Sequence, residues 1–375
     1  MSELFDWKVS NPYFIDKIIV KGLLSRYDIE WELDDVNVLV GRNGTGKSTI
    51  FKLAQLALTD AEAEENSDMR RRTLRSVANK FDSIEIILNN GMTCSFSISN
   101  TLEEKDSLLD AIDFFINESI HDKKELLEDK FHALKSLQSY LTNIEDKPNI
   151  KPYLLTGASD FHNKNGDNLF LRNVSVDFIS TFDMLLLSQE KYDEANKKFY
   201  SQLDSMMRDE VTNLKSNLLT LSNQASEKFN VIEKANSSQK HSVLRNNIFS
   251  RVNIFKKVIN GLFKDEHKVF DISSDGNMIV KYRDLPIKIS ELSSGEKQLL
   301  IIMLKVLNSS LFNPSIIFMD EPEISLHVNW QNQLISSIRR IAPNSQLIIV
   351  SHSPAMVMKN WLNKLTDIKE IAIDR

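Results

Sequence analysis

The hydrophobic run VNVLV at residues 36–40 passes directly into GRNGTGKST and then into STIFKLAQLAL. A buried strand, a glycine-rich turn from Gly41 to Gly46 and a helix opened by Ser48 form one strand–loop–helix unit. The loop matches G-x-x-x-x-G-K-[ST] in full, in the context that gives the motif its meaning. Its glycines let backbone N–H groups wrap around phosphate oxygens, and the helix N-terminus adds its positive end. Lys47 is placed to reach terminal phosphates and the Ser48 hydroxyl to coordinate Mg²⁺. Arg42, Asn43, Gly44, Thr45, Gly46 and Thr49 complete the residues around a bound nucleotide. Such a unit requires an α/β fold with a sheet whose strand ends carry the chemistry.

The rest of the chain divides around it. From about Tyr13 to Asn100, FIDKIIVKGL and YDIEWELDD read as strands, and SIEIILNNGMTCSFSIS as a hairpin turning at Asn90-Gly91. This part, residues 1–100, is the N-terminal portion of a nucleotide-binding head. From about Thr101 to Phe270 the pattern becomes rich in Lys, Glu, Leu and Asn with little glycine, which predicts a mainly helical insertion over 101–270. From Asp271 to the end, strands and helices alternate again, giving the C-terminal portion of the head over 271–375. FDISSDGNMIVKY reads as a second hairpin, and PSIIFMDEP and SQLIIVSHSP as strands ending in polar residues. NIEDKPNIKPYLLTGASDFHNKNGDN is the most linker-like stretch. Within the insertion, Phe199, Leu203, Met207, Val211, Leu214, Leu218, Leu221, Ala225, Phe229 and Ile232 form an apolar stripe at helical spacing. A helix carrying it would be about 50 Å long. Two readings stay open: a short coiled-coil arm, or a lobe of packed antiparallel helices.

Two strand ends carry further candidates. SIIFMDEP places Asp320 and Glu321 at the end of a buried strand, Asp320 to hold Mg²⁺ and Glu321 to polarise an attacking water. Neighbouring strand residues point to opposite faces, so both serve one site only if the chain turns there, as Pro322 implies. His352 follows the next strand and is read as a neutral donor to the γ-phosphate. A third element, ELSSGEKQLL, is a helix start with Ser293 and Glu296 at capping-box spacing.

Composition sets the remaining limits. Hydrophobic residues make up 42% and charged residues 26% of the 375, and the net charge is −6, so the surface as a whole does not attract nucleic acid. The DMRRRTLRS run, with Arg70, Arg71, Arg72 and Arg75, is read either as a basic face for DNA phosphates or as a solvated helix paired with the preceding acids. The single cysteine excludes an internal disulfide and fits a reducing cytoplasm. The N-terminus does not read as a signal peptide. The longest apolar runs fall short of the roughly 18 residues a membrane span needs, so no membrane association is expected.

In order, GRNGTGKST, LSSGEKQ, IIFMDEPE and VSHSP resemble the motifs of ATP-binding-cassette ATPases, more narrowly the SMC, RecF and OLD-like branch. The resemblance covers about Tyr13–Cys94 and Lys288–Met358. It implies a P-loop NTPase head of ABC type, a mixed sheet with flanking helices split by the helical insertion, with ATP and Mg²⁺ as its ligands. It implies catalytic parts for Glu321, His352 and Lys47, and metal ligation by Ser48 and Asp320. In that family two heads dimerise head to tail, and each ATP lies between one chain's phosphate loop and the other chain's signature. Carried over, Ser293, Ser294, Gly295 and Glu296 would face a partner's ATP, with Ser294 standing where a glycine is usual. His327 ends the loop after the carboxylates and is expected near the partner subunit. Gln189, Gln55 and Gln138 are the candidates for the lid glutamine. No nuclease segment follows the SHSP strand, which implies a homodimer or higher homo-oligomer acting on a separate effector, a nuclease or toxin, in anti-phage defence. A RecF-like repair ATPase that binds DNA directly is the alternative, and a transporter subunit is disfavoured by the SMC-like signature and the long insertion.

Overall fold

The computed structural model describes residues 7–59, 64–100, 135, 153–161, 168–180, 202–233, 249–273, 276–353, 356–357 and 360–375. Strands β1 (Ile15–Leu23), β2 (Tyr27–Glu32) and β3 (Val36–Val40) lead into helix α1 (Lys47–Leu58) and then α2 (Glu64–Val77). The hairpin β4 (Ser83–Leu88) and β5 (Thr93–Asn100) turns at Asn90-Gly91, with the Gly91 N–H donating to Leu88 O and φ of Gly91 at 81°. After β6 (Tyr153–Ser159) come α3 (Leu169–Asn173), β7 (Ser175–Ser180), α4 (Gln202–Glu233) and α5 (Ser250–Leu262). The hairpin β8 (Lys268–Ile272) and β9 (Met278–Tyr282) is extended by β10 (Leu285–Ile287). Then follow α6 (Ser294–Ser310), β11 (Ser315–Asp320), a helical turn at Val328–Gln331, α7 (Leu334–Ile341), β12 (Ser345–Val350), β13 (Leu365–Asp367) and β14 (Ala372–Asp374).

A parallel five-stranded sheet in the order β13-β3-β12-β11-β7 forms the centre. Every residue of β11 and β12 is buried, as their near-continuous apolar sequences require of strands covered on both faces. Alternation along the strands feeds two cores. Ile317, Met319, Leu347 and Ile349 pack with α4, α5, α6 and α7 on one side. Ile316, Phe318, Ile348 and Val350 pack with α1 and the antiparallel sheet β14-β2-β1-β4-β5-β6 on the other. Phe178 of β7 stacks on Phe318 at 4.7 Å between ring centroids, and Phe51 of α1 meets both edge-on. The architecture is a P-loop NTPase head, α/β with a mixed set of sheets and flanking helices.

The stretch 101–270, expected to be mainly helical, also supplies strands to the sheets. These are β6, the edge strand beside β5, and β7, which pairs in parallel with β11 along its whole length. β6 starts just after Pro152 inside the stretch read as a linker; a proline is tolerated where an edge strand begins, so it signalled a loop where the chain instead joins a sheet. The apolar stripe of α4 also has a destination other than the two considered. Met207 and Leu214 are buried in the head's core, with Leu203, Val211 and Leu218 packed against it. Polar bonds fasten the same face. Lys297 of α6 pairs with Asp204 at 2.8 Å, and Asn308 donates to the Glu210 carboxylate and carbonyl. In its described part α4 is therefore a wall of the head. Phe199 lies outside the described residues. Among the described residues no helix is long and apolar enough to cross a membrane.

Candidate active site

The parallel register sets the site. Asp320 pairs with Ser180 on one side and Val350 on the other, and Val350 pairs with Leu39. β7, β11, β12 and β3 thus end level, and the residues that leave them share the carboxyl edge of the sheet, the usual ligand crevice of an open α/β sheet.

From β3 the chain enters the glycine-rich loop. Gly46, at φ 99°, is the residue before α1, and a Cβ there would meet Leu23 Cδ2 at 2.8 Å, so neither backbone nor space admits another residue easily. No side chain caps the first turn of α1, which leaves its N–H groups for an anion. Lys47 is only 4% exposed. Its Nζ donates to Gly41 O at 2.9 Å and Arg42 O at 3.2 Å, and lies 3.0 Å from His352 Nε2. Burial pulls its pKa down, opposed by the charges of Glu321, Asp320, Asp367 and Glu323. Arg42, Asn43 and Gly44 are exposed at the loop tip, Thr45 Oγ1 donates to Arg42 O at 2.9 Å, and Thr49 is buried in α1.

From β11 come the carboxylates. Asp320 is buried, and Ser48 Oγ donates to its Oδ1 at 3.2 Å. Two hard oxygen ligands this close fit Mg²⁺, which takes one or two protein oxygens and completes its shell from phosphate and water. Among the described residues no group of three or more His, Cys, Asp or Glu could hold a metal by itself. Glu321 takes φ 50° and its N–H donates to Val350 O at 2.8 Å. The left-handed turn brings its carboxylate to the edge that Asp320 occupies. Glu321 Oε2 accepts from the His352 N–H at 3.0 Å, and Oε1 is 3.0 Å from His352 Nε2. Burial, then the neighbouring Glu323 carboxyl and the Asp320 charge, push its pKa up to about 8. From β12 comes His352. Burial and the Lys47 charge hold its pKa below the ordinary value, so the imidazole is neutral at pH 7.

The residues of ELSSGE stand apart from this group. Ser293 caps α6; its Oγ accepts from the Glu296 N–H at 3.3 Å while Glu296 Oε2 accepts from the Ser293 N–H at 2.8 Å. Glu296 is 3% exposed and its Oε1 pairs with Lys268 of β8. In this chain its carboxylate is engaged by its own helix start and by Lys268. The capping box turns the side chain back over the helix start. Ser293 and Ser294 are exposed, and Gly295 lies under the Ser325 carbonyl. No hydrogen bond among the described residues joins 293–296 to 41–49. His327 is exposed and its Nδ1 accepts from the Asn329 N–H at 3.3 Å, capping the next helical turn.

Other candidates separate cleanly. Arg70 donates to Leu56 O at 2.7 Å and Thr59 O at 2.6 Å, holding the C-terminal carbonyls of α1; Arg71, Arg72 and Arg75 are exposed on α2. Gln55 contacts Met69 Sδ between α1 and α2, while Gln138 and Gln189 lie outside the described residues. Sequence reasoning gave no part to Glu323, Gln331 or Ser351. Glu323 Oε1 accepts from the Ser351 hydroxyl, from His352 N at 3.1 Å and from Ser353 N at 3.0 Å. Only its spacing, two residues after Glu321, could have drawn notice.

The chain is similar to known proteins over part of its length. Retron Vc95 probable ATPase of Vibrio cholerae serotype O1 biovar El Tor is 33% identical over 95 residues, covering 23% of this chain and 18% of that protein. Septu protein PtuA of Bacillus thuringiensis is 40% identical over 50 residues, 13% of each. The chain thus aligns with less than a fifth of the length of these relatives. An SMC head domain from Thermotoga maritima superposes over 94% of both chains with a TM-score of 0.45 and 12% identity. The profile of the AAA ATPase domain family matches residues 14–357. The chain belongs to the AAA ATPase domain family.

Proposed function

We propose that this chain binds ATP with Mg²⁺ at the carboxyl edge of its parallel sheet and hydrolyses it to ADP and phosphate. The observation that carries the reading is the convergence of Lys47, Ser48, Asp320, Glu321 and His352 at one sheet edge: Lys47 Nζ and Glu321 Oε1 each lie 3.0 Å from His352 Nε2, and Ser48 Oγ lies 3.2 Å from Asp320 Oδ1. The loop amides and Lys47 bind the β- and γ-phosphates. Ser48 and Asp320 would hold Mg²⁺, which when bound would offset the negative charge of the phosphates. Glu321, in its deprotonated form, orients and polarises the attacking water. His352, neutral, donates toward the γ-phosphate.

The exposed Ser293 and Ser294 support a head-to-tail dimer in which each ATP is closed by a second copy. The likeness to the retron and Septu proteins supports a place in anti-phage defence, with the ATP state of the dimer controlling a separate effector, a nuclease or toxin. Direct DNA binding through the arginine run has less support, because Arg70 is engaged by α1 carbonyls.

Glu321→Gln tests the assignment. It should retain ATP and Mg²⁺ binding and lower kcat by roughly 10²–10⁴, the span of a positioned base, whereas Lys47→Ala should lose binding. Nucleotide titration and phosphate release measure both. Normal turnover by Glu321→Gln would show that the water is activated by another group.

A further inference from the structure

β12 ends at Val350, and the turn that carries His352 leaves the sheet there. The Ser351 N–H still donates to Leu39 O at 3.1 Å. The next two N–H groups, of His352 and Ser353, have no strand to donate to, and backbone donors in a half-buried place need acceptors. Glu323 supplies one. The residue is 6% exposed, and its Oε1 alone receives the Ser351 hydroxyl, the His352 N–H at 3.1 Å and the Ser353 N–H at 3.0 Å. Consecutive N–H groups directed at one oxygen form a nest for negative charge.

A second loop of bonds closes around the first. Ser353 Oγ donates to Gln331 Oε1 at 2.9 Å, and Gln331 Nε2 returns to Glu323 O at 3.3 Å. Glu323, Ser353 and Gln331 thus form a ring spanning the turn after β11 and the turn after β12. The His352 N–H is shared, since Glu321 Oε2 also accepts it at 3.0 Å. The imidazole above that N–H lies 3.0 Å from both Lys47 Nζ and Glu321 Oε1. A tilt of the 351–353 peptides would break both contacts. The Glu323 carboxyl also shares a side-chain hydrogen bond with Glu321, so the two acids and the His352 turn form one network.

We propose that Glu323 is a positioning residue of the hydrolytic site, whose carboxylate fixes the Ser351–Ser353 turn and thereby sets the His352 imidazole between Lys47 and Glu321. It acts through His352 and touches no substrate. The inference rests on the part assigned to His352 under the proposed function.

The test is a double-mutant cycle on the full chain, with Glu323→Ala, His352→Ala and the pair, read as kcat and KM for ATP and as affinity for a fluorescent ATP analogue. Glu323→Ala should lower kcat roughly ten- to a hundred-fold, as a displaced catalytic group does, with KM and analogue affinity little changed. Glu323→Gln should recover most of that loss, because an amide oxygen accepts from the same donors. The pair should be no slower than His352→Ala alone. If Glu323→Ala does not fold, Glu323→Asp, which withdraws the carboxylate by one methylene, takes its place in the cycle with the same expectation of non-additivity. A pair whose loss equals the product of the single losses, a loss that appears in KM, or normal turnover by the Glu323 variant overturns this inference and leaves the assignment of His352 standing. Normal turnover by His352→Ala overturns both.

Discussion

Gly295→Ala probes how the start of α6 is placed. A Cβ at this position would lie 2.6 Å from the Ser325 carbonyl oxygen, a backbone atom. An ordinary C···O contact is about 3.3 Å or longer, so the two segments must part by about 0.7 Å. Ser325 cannot yield easily. It sits at φ 67°, and its turn is tied by the Leu326 N–H to Glu323 O and by Gln331 Nε2 to the carbonyls of Glu323 and Leu326. Forced overpacking of this kind costs about 1–3 kcal/mol. Replacing a helical glycine by alanine returns roughly 0.5–1 kcal/mol, and a net loss of about 1–2 kcal/mol remains. The melting temperature should fall by a few degrees in differential scanning fluorimetry. Domains of ordinary stability stay folded at 25 °C after such a loss, so turnover at that temperature reports position rather than unfolding. It should fall too, because the exposed Ser293 and Ser294 move with the helix start. An unchanged or raised melting temperature would show that the Ser325 turn gives way freely and would refute the steric argument.

Other perturbations discriminate separate parts. Arg70→Ala should destabilise by about 1–3 kcal/mol, the worth of buried charge-assisted bonds to carbonyls, with no change in the salt dependence of any DNA binding; a drop in DNA affinity with unaltered stability would restore the basic-face reading. Burial holds the Glu210 carboxyl above its ordinary value of 4.5, although Lys305 and Asn308 pull it down. The folded state therefore binds that proton more tightly than the unfolded state, a contribution present below the unfolded pKa and lost as pH rises through the folded one. Glu210→Gln should accordingly raise the melting temperature relative to the natural chain most at neutral pH, and the difference should shrink toward about 4.5; a gap independent of pH would remove Glu210 as its source. Lys47→Ala and Ser293→Arg chains, co-expressed with different tags and purified through both, should regain the turnover that each lacks alone if phosphate loop and signature come from opposite copies. A doubly tagged dimer as inactive as its parents would count against the composite site.

Much of the fold was legible because its signals are local. The loop from Gly41 to Ser48 is flanked by a five-residue strand, four of them apolar, and by a helix, and Asn90-Gly91 sets a tight hairpin turn. SIIFMD and SQLIIV are apolar enough to demand burial on both faces. β7 was missed because SVDFIS has an aspartate in its middle and becomes a strand by pairing with β11. The stripe of α4 told that one face is covered, since periodicity records burial. It could not tell what covers it, and the answer, α6 and the head's core, is a tertiary fact. The arginine run shows the same limit. Arg70 looks like its neighbours in sequence and differs only because the end of α1 lies beside it.

The two adjacent carboxylates show how far sequence logic reaches at the site itself. Strand alternation sends Asp320 and Glu321 to opposite faces, and Pro322 disfavours right-handed helical backbone at the residue before it. What remains is a turn, and Glu321 takes it at φ 50°, a conformation that costs a non-glycine residue about 1–3 kcal/mol. The strain persists because its surroundings over-determine it. The Glu321 N–H is held by Val350 O, and its carboxylate receives the His352 N–H. The same turn carries the chain back so that Glu323, two residues on, meets the same N–H at 3.1 Å. A glycine at 321 would relax the backbone and lose the carboxylate. An ordinary strand residue there would keep the carboxylate and aim it into the wrong core. The left-handed glutamate is the arrangement that puts both acids and the histidine on one edge, so its strain belongs to the site's geometry.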